Sequence, residues 1–261
     1  MINFLKKQRN NLIQSKFGKY SIYAIGEIFL VVIGILIALQ VNNWNENRKN
    51  LIKEQVILKQ LRAEFKSNLV QLDEKIVLSS QIINSSEKVL KMIDNPLNVN
   101  KDTLYNNLSV LTLDPTFDPI SNDLIVSGNL QLINNLKLKN SLSNWTSDVM
   151  SLREMELEWQ KMTLNVNFPF IIRLNIYRDL ANNQYKNKSV PIYILDKNVR
   201  QKLEIGKSKR SVNVESVLNN PEIESIISRA ITANHVTNLQ SLALKKKINN
   251  ILDLIEKEIK K

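Results

Sequence analysis

A chain of 261 residues with a formal net charge of +11, no cysteine, five glycines and six prolines is long enough to hold a buried core beside a membrane span. The lack of cysteine excludes disulfides, thiolate zinc sites, iron–sulfur clusters and cysteine nucleophiles, and scarce glycine and proline favour long helices over many strands and turns. Uncompensated basic charge is concentrated only at Lys6, Lys7, Arg9, Lys16 and Lys19, which fits a cytoplasmic membrane flank better than a nucleic-acid surface.

Residues 1–19 are expected to form this basic leader on the cytoplasmic side, without an output domain there. Residues 20–42 are predicted to form one uncleaved transmembrane helix. Between Ile22 and Leu39 only Glu27 is charged, and residues 20–41 cover about 33 Å as a helix, against a hydrocarbon core of about 30 Å. Tyr20 and Tyr23 at one end and Trp44 at the other are suited to the membrane interfaces. The apolar run exceeds a signal-peptide core, and Ala38-Leu39-Gln40 is no small-x-small cleavage site, so a signal anchor is expected. The lysine and arginine count puts the N-terminus in the cytoplasm and the C-terminal domain in the periplasm, by the margin of a single basic residue.

Glu27 is costly inside a bilayer and calls for a protein or water neighbour. At 100° per residue, Gly34 and Ala38 fall about 20° to either side of it, and Gly34-x-x-x-Ala38 permits close helix approach. Glu27, Gly34 and Ala38 therefore define an expected transmembrane partner face, toward another membrane protein or a second copy.

The string from Lys19 to Lys49, KYSIYAIGEIFLVVIGILIALQVNNWNENRK, resembles the N-terminal signature of a family of single-span bacterial membrane proteins of unknown function. Gly26, Glu27, Ile28, Gly34, Gln40, Asn42, Asn43, Trp44, Asn45 and Glu46 carry the resemblance, with a looser match at Ser127-Gly128-Asn129-Leu130. It implies a bacterial inner-membrane topology followed by a helical domain, and it implies no activity.

Residues 43–261 are expected to form that domain. A first helix from about Arg48 to Ile93 carries Phe65, Leu69, Leu72, Ile76, Ile83, Leu90 and Ile93 at 4–3 spacing, with Ser79 and Ser86 filling two seam positions. Asp94-Asn95-Pro96 ends it, and Asn42–Asn47 is the one plausible break upstream. Asp102–Leu113 reads as a short helix. Asp114-Pro115 and Asp118-Pro119 read as turns or capped helix starts; these aspartates with Asn122 and Asp123 lack the spacing of a calcium loop. A second stripe uses Leu138, Leu142, Trp145, Val149, Leu152, Trp159 and Val166, ending near Pro169. Ile192–Leu195 suits a short strand, and residues 187–220, rich in Lys, Ser and Asn, are expected to be the most mobile section. Pro221 opens a last helix to about Ile259, with Ile223, Ile227, Ala230, Leu244, Ile248, Ile251, Ile255 and Ile259 on one face. The fold class is all-α: one N-terminal transmembrane helix followed by an antiparallel bundle of long helices.

No catalytic constellation emerges. His235 is the single histidine, which excludes multi-histidine metal sites, and its setting suits a surface or core-edge position. Gly206-Lys207-Ser208 mimics the end of a phosphate-binding loop but lacks the first glycine, since position 201 is Gln201. Glu154, Glu156 and Glu158 alternate by two and do not share a helical face. Lys245-Lys246-Lys247 reads as a solvated run. The sequons at Asn84, Asn144 and Asn187 carry weight only in a eukaryotic secretory setting. No catalytic, cofactor-binding or metal-ligating residue is assigned and no cofactor is expected. A non-enzymatic interaction or sensory module acting through partner proteins is the expected class, with a scaffold subunit oligomerising through its span as the alternative. The expected partners are the lipid bilayer, another membrane or periplasmic protein or a second copy, and no nucleic acid.

Overall fold

The computed structural model describes residues 16–120, 129–186, 205–210 and 212–259, and the chain divides into two compact units, residues 1–56 and 57–261. The strand expected at Ile192–Leu195, Asn122, Asp123, and the Ser127-Gly128 part of the looser match lie outside the described residues. No strand occurs among the described residues, and the fold is all-α.

Helix α1 runs from Lys16 to Asp94, 79 residues without an interruption at Asn42–Asn47. No glycine or proline stands between Gly34 and Pro96, and the helix stops two residues before that proline, whose ring disfavours helical geometry in the residue ahead of it. In the first unit every described side chain from Tyr23 to Lys53 is exposed. One stretch there is apolar and long enough to cross a membrane, by length and composition. A helix that is apolar on all sides needs either a protein core or a bilayer around it.

The second unit is built on α1 from Ile57 onward, α3 (Leu136–Met162) and α7 (Pro221–Glu258). Cross-helix pairs give their directions. Arg62–Glu256, Asp73–Lys245 and Ser80–Asn238 run α7 antiparallel to α1, and Asp148–Lys247, Ser151–Gln240 and Glu158–Arg229 run it antiparallel to α3. Shorter elements close one end: α2 (Lys101–Leu108), a 3-10 turn at Ser109–Thr112, α4 (Phe168–Arg173), α5 (Tyr177–Lys186) and α6 (Val214–Leu218). A second 3-10 turn at Asn129–Leu132 precedes α3.

Asparagine starts these helices. Asn100, Asn135, Asn213 and Asn220 sit in extended conformation, each with a side-chain oxygen accepting a first-turn N–H, which satisfies a donor the helix cannot. Asp114 and Asp118, expected in turns or at capped helix starts, instead lie in an irregular strap over residues 113–120. Asn175, at φ 56°, ends α4 in a left-handed turn: its N–H bonds Ile172 O and the Ile176 N–H bonds Ile171 O, the two bonds of a Schellman motif.

Two aliphatic clusters form the core. One packs Leu58, Leu61, Phe65 and Leu72 against Leu142, Trp145, Leu152, Ile248 and Ile251. The other packs Ile82 and Val89 against Leu104, Trp159, Phe170, Val217, Ile223 and Ile227.

Candidate functional site: a buried polar layer

Each long helix presents a seam in which buried residues repeat every 3.5 positions, the spacing that keeps one face toward neighbouring helices. On α1 the buried seam is Leu58, Leu61, Phe65, Asn68, Leu72, Lys75, Ser79, Ile82, Ser86 and Val89. Of the eight from Phe65 onward, half, Phe65, Leu72, Ser79 and Ser86, follow the expected stripe. The other half lies one residue earlier: Asn68, Lys75, Ile82 and Val89 are buried, where Leu69, Ile76, Ile83 and Leu90 are only partly so. Choosing the apolar member of each adjacent pair skips Asn68 and Lys75.

All three seams turn polar between the two aliphatic clusters. There α1 offers Lys75 and Ser79, α3 offers Glu156, and α7 offers Asn234, Thr237 and Ser241, every one of them buried. Lys75 Nζ lies 3.3 Å from Glu156 Oε1, with both side chains fully buried, and it donates to Ser241 Oγ. Glu156 accepts the Phe117 N–H at 3.1 Å and has Arg153 Nη1 at 3.5 Å. Asn238 donates to Ser80 Oγ at 3.0 Å. Asn234, Thr237 and Ser241 return their donors to carbonyls four residues back on α7, so the helix itself satisfies them. Among the described residues, Ser79 Oγ and Asn238 Oδ1 have no hydrogen-bond partner.

Burial pushes the Lys75 ammonium below its ordinary range, against the attraction of Glu156. Burial likewise pushes the Glu156 carboxyl up, with Lys75, the Phe117 N–H and Arg153 working in the opposite direction. Desolvation therefore exceeds the mutual attraction for both partners, as expected for a pair withdrawn from water.

The strap is pinned to the same place by side chains. Asn167 donates to Leu111 O, Trp159 to Leu113 O, Gln160 to Asp114 Oδ2 and Glu156 accepts from Phe117 N. Asn68 both accepts the Ile120 N–H and donates to the Ile120 carbonyl. Phe117 is thereby set edge-on to Trp145, which in turn meets Phe65. Residues 163–167 between α3 and α4 form a π-turn. It adds one residue to the helical period, so Asn167 is buried in place of the expected Val166, which is 40% exposed. The helical path also continues through Pro169 rather than ending there, because the wider turn accommodates its missing N–H.

The expected transmembrane residues fall as follows. Tyr20, Tyr23 and Trp44 are exposed on α1, as are Glu27, Gly34 and Ala38, and a Cβ built at Gly34 meets nothing within 4 Å. His235 is exposed on α7. Gly206-Lys207-Ser208 is a tie between short elements: Lys207 pairs with Asp102, the Ser208 N–H donates to Asp179, and Arg178 donates to the carbonyls of Ile205 and Gly206. Two of the three lysines at 245–247 are cross-helix partners, Lys245 with Asp73 and Lys247 with Asp148. Among the described residues no cluster of acidic or histidine side chains is arranged to hold a metal ion.

Lys75 and Ser241 escaped notice in the sequence, and Glu156 was weighed only beside Glu154 and Glu158. Their signal is positional: Glu156 stands four residues after Leu152 and three before Trp159, and Ser241 three before Leu244, each completing a 4–3 stripe through a polar residue.

A family model described as a family of unknown function (DUF6090) matches residues 27–109, which take in α1 from Glu27 and all of α2 but neither α3 nor α7. No curated protein matches, and no solved structure does.

Proposed function

We propose that the chain is a single-pass membrane-anchored module that acts by binding partner proteins rather than by catalysis. Residues 20–42 cross a bacterial inner membrane in this reading, with the N-terminus cytoplasmic and the bundle periplasmic. The observation that carries it is α1: one helical element holds both the exposed apolar segment and a full seam of the bundle. Tyr20, Tyr23 and Trp44 sit where interfacial rings are favoured, and the leader's basic charge favours the cytoplasmic side. A topology reporter fused at Lys261 tests the arrangement; a periplasmic signal is expected, and a cytoplasmic one rejects it. Purification of the full chain in mild detergent, beside Glu27→Leu, tests the mode of action. Co-purifying protein that is lost with Glu27→Leu is expected, and a solitary monomer in both counts against it.

The open stripe Glu27–Gly34–Ala38 favours a second reading, a scaffold subunit that self-associates through its span. Single cysteines along that stripe then trap dimers in membranes, and failure at every position removes this reading.

A further inference from the structure

A heptad seam alone does not say how far one helix should slide along another, because an aliphatic contact shifted by seven residues is again an aliphatic contact. In this bundle the ambiguity is acute. The α1 seam repeats from Leu58 to Val89 and the α7 seam from Ile223 to Ile255. The polar layer interrupts both repeats at a shared level, Asn68 and Ser86 adding polar positions on α1 one heptad to either side of it, and it does so with a charge pair wholly withdrawn from water. Buried pairs of that kind are commonly replaceable by apolar residues without loss of stability. Stability is therefore a poor account of Lys75 and Glu156, and uniqueness of alignment is a better one.

We propose that the Lys75–Glu156–Ser241 layer is a register lock, which holds α1 at one axial position against α3 and α7. In the observed register Lys75 meets Ser241 and Glu156 together. A slip of one heptad in one direction carries Lys75 to the level of Ile248, inside the aliphatic cluster. The opposite slip carries it to the level of Asn234, away from Glu156, and leaves that carboxylate without its ammonium. Either displacement separates the buried pair, leaving Lys75 without its carboxylate and Glu156 with only Arg153 near it, so the layer penalises both. Intermediate shifts are excluded already by the seam, which makes displacement of α1 an all-or-none step of about 10 Å, seven residues at 1.5 Å each. The layer lies wholly within residues 57–261, and the inference is independent of the membrane reading.

Because the chain has no native cysteine, register is directly readable by thiol cross-linking of the full chain in detergent. The native reporter is Arg62→Cys with Glu256→Cys, at an observed ion pair; the shifted reporter is Arg62→Cys with Asn249→Cys, one heptad away. With the layer intact, a short bifunctional reagent should link only the native reporter. With Lys75→Met, Glu156→Gln and Ser241→Ala together, which spare the acceptor for the Phe117 N–H, both reporters should link and the thermal midpoint should be equal or higher. Ser241→Ala alone, which keeps the charge pair, should link only the native reporter. The proposal is overturned if the triple variant links only the native reporter, if it loses its cooperative transition, or if Ser241→Ala also links the shifted one.

Discussion

Lys75 is paired with Glu156 alone, and Glu156 has the partly exposed Arg153 as a second, more distant cation. Removing one partner exposes the desolvation cost of the other, whereas removing both removes that cost. Lys75→Met alone should therefore lower stability by about 3–5 kcal/mol, the usual result of orphaning a buried charge. Lys75→Met with Glu156→Gln should recover all of it or more, since the amide oxygen still accepts from Phe117. Urea unfolding of the three proteins checks the order, and a double variant no better than the single one would refute it. Asp114 makes a different point. Burial raises its carboxyl, with Gln160 and Arg153 acting against the rise. A folded-state pKa above the unfolded value gives stability that is complete below the unfolded pKa and lost as pH rises through the folded one. Asp114→Asn should thus match the parent in acid and exceed it near neutrality. Unfolding midpoints measured from about pH 3 to pH 7 follow the divergence, and a variant weaker than the parent at neutral pH would contradict the sign.

At the scale of elements, the long helices were legible because their ends are written in local chemistry. Pro221 and Pro96 mark boundaries because proline suits a first helical turn and disfavours helix just before it, and the start of the last helix falls where expected. What stayed hidden was the rotation of α1 about its axis. Leu69 and Ile76 are the apolar choices beside Asn68 and Lys75, and only tertiary contacts with Ile120, Ser241 and Glu156 justify burying the polar ones. The π-turn after Met162 was equally silent, since its extra residue is visible only as a register change from Val166 to Asn167. The strap depends on side chains, and each should be separable. Asn68→Ala removes both bonds to Ile120, so the Ile120 amide should exchange faster while Phe117, bound to Glu156, stays protected. Equal acceleration at both amides would mean that the strap detaches as one piece. Caps are simpler: Asn220→Ala should cost about 1 kcal/mol, read as a lower midpoint with unchanged denaturant slope.

On the scale of the whole bundle, the polar layer poses the question of whether two aliphatic clusters make one folding unit or two. Three long helices pass through the layer without interruption, and helical hydrogen bonding propagates cooperatively along each of them. Opening one cluster would leave Lys75 and Glu156 at a frayed edge and would free the strap that bridges Asn68, Glu156 and Trp159. These connections argue for a single transition. Trp145 belongs to one cluster and Trp159 to the other, so the chain carries a natural reporter in each. With Trp44→Phe as background, proteins that also carry Trp145→Phe or Trp159→Phe should unfold at midpoints displaced only by those substitutions, each coincident with the loss of helical signal in the same sample. Leu142→Ala and Ile227→Ala, one in each cluster, should each remove about 2–5 kcal/mol from the transition seen by both tryptophans. If Leu142→Ala moved the Trp145 signal alone, two-state behaviour would fail, and the layer would be a boundary between two folding units rather than a level within one.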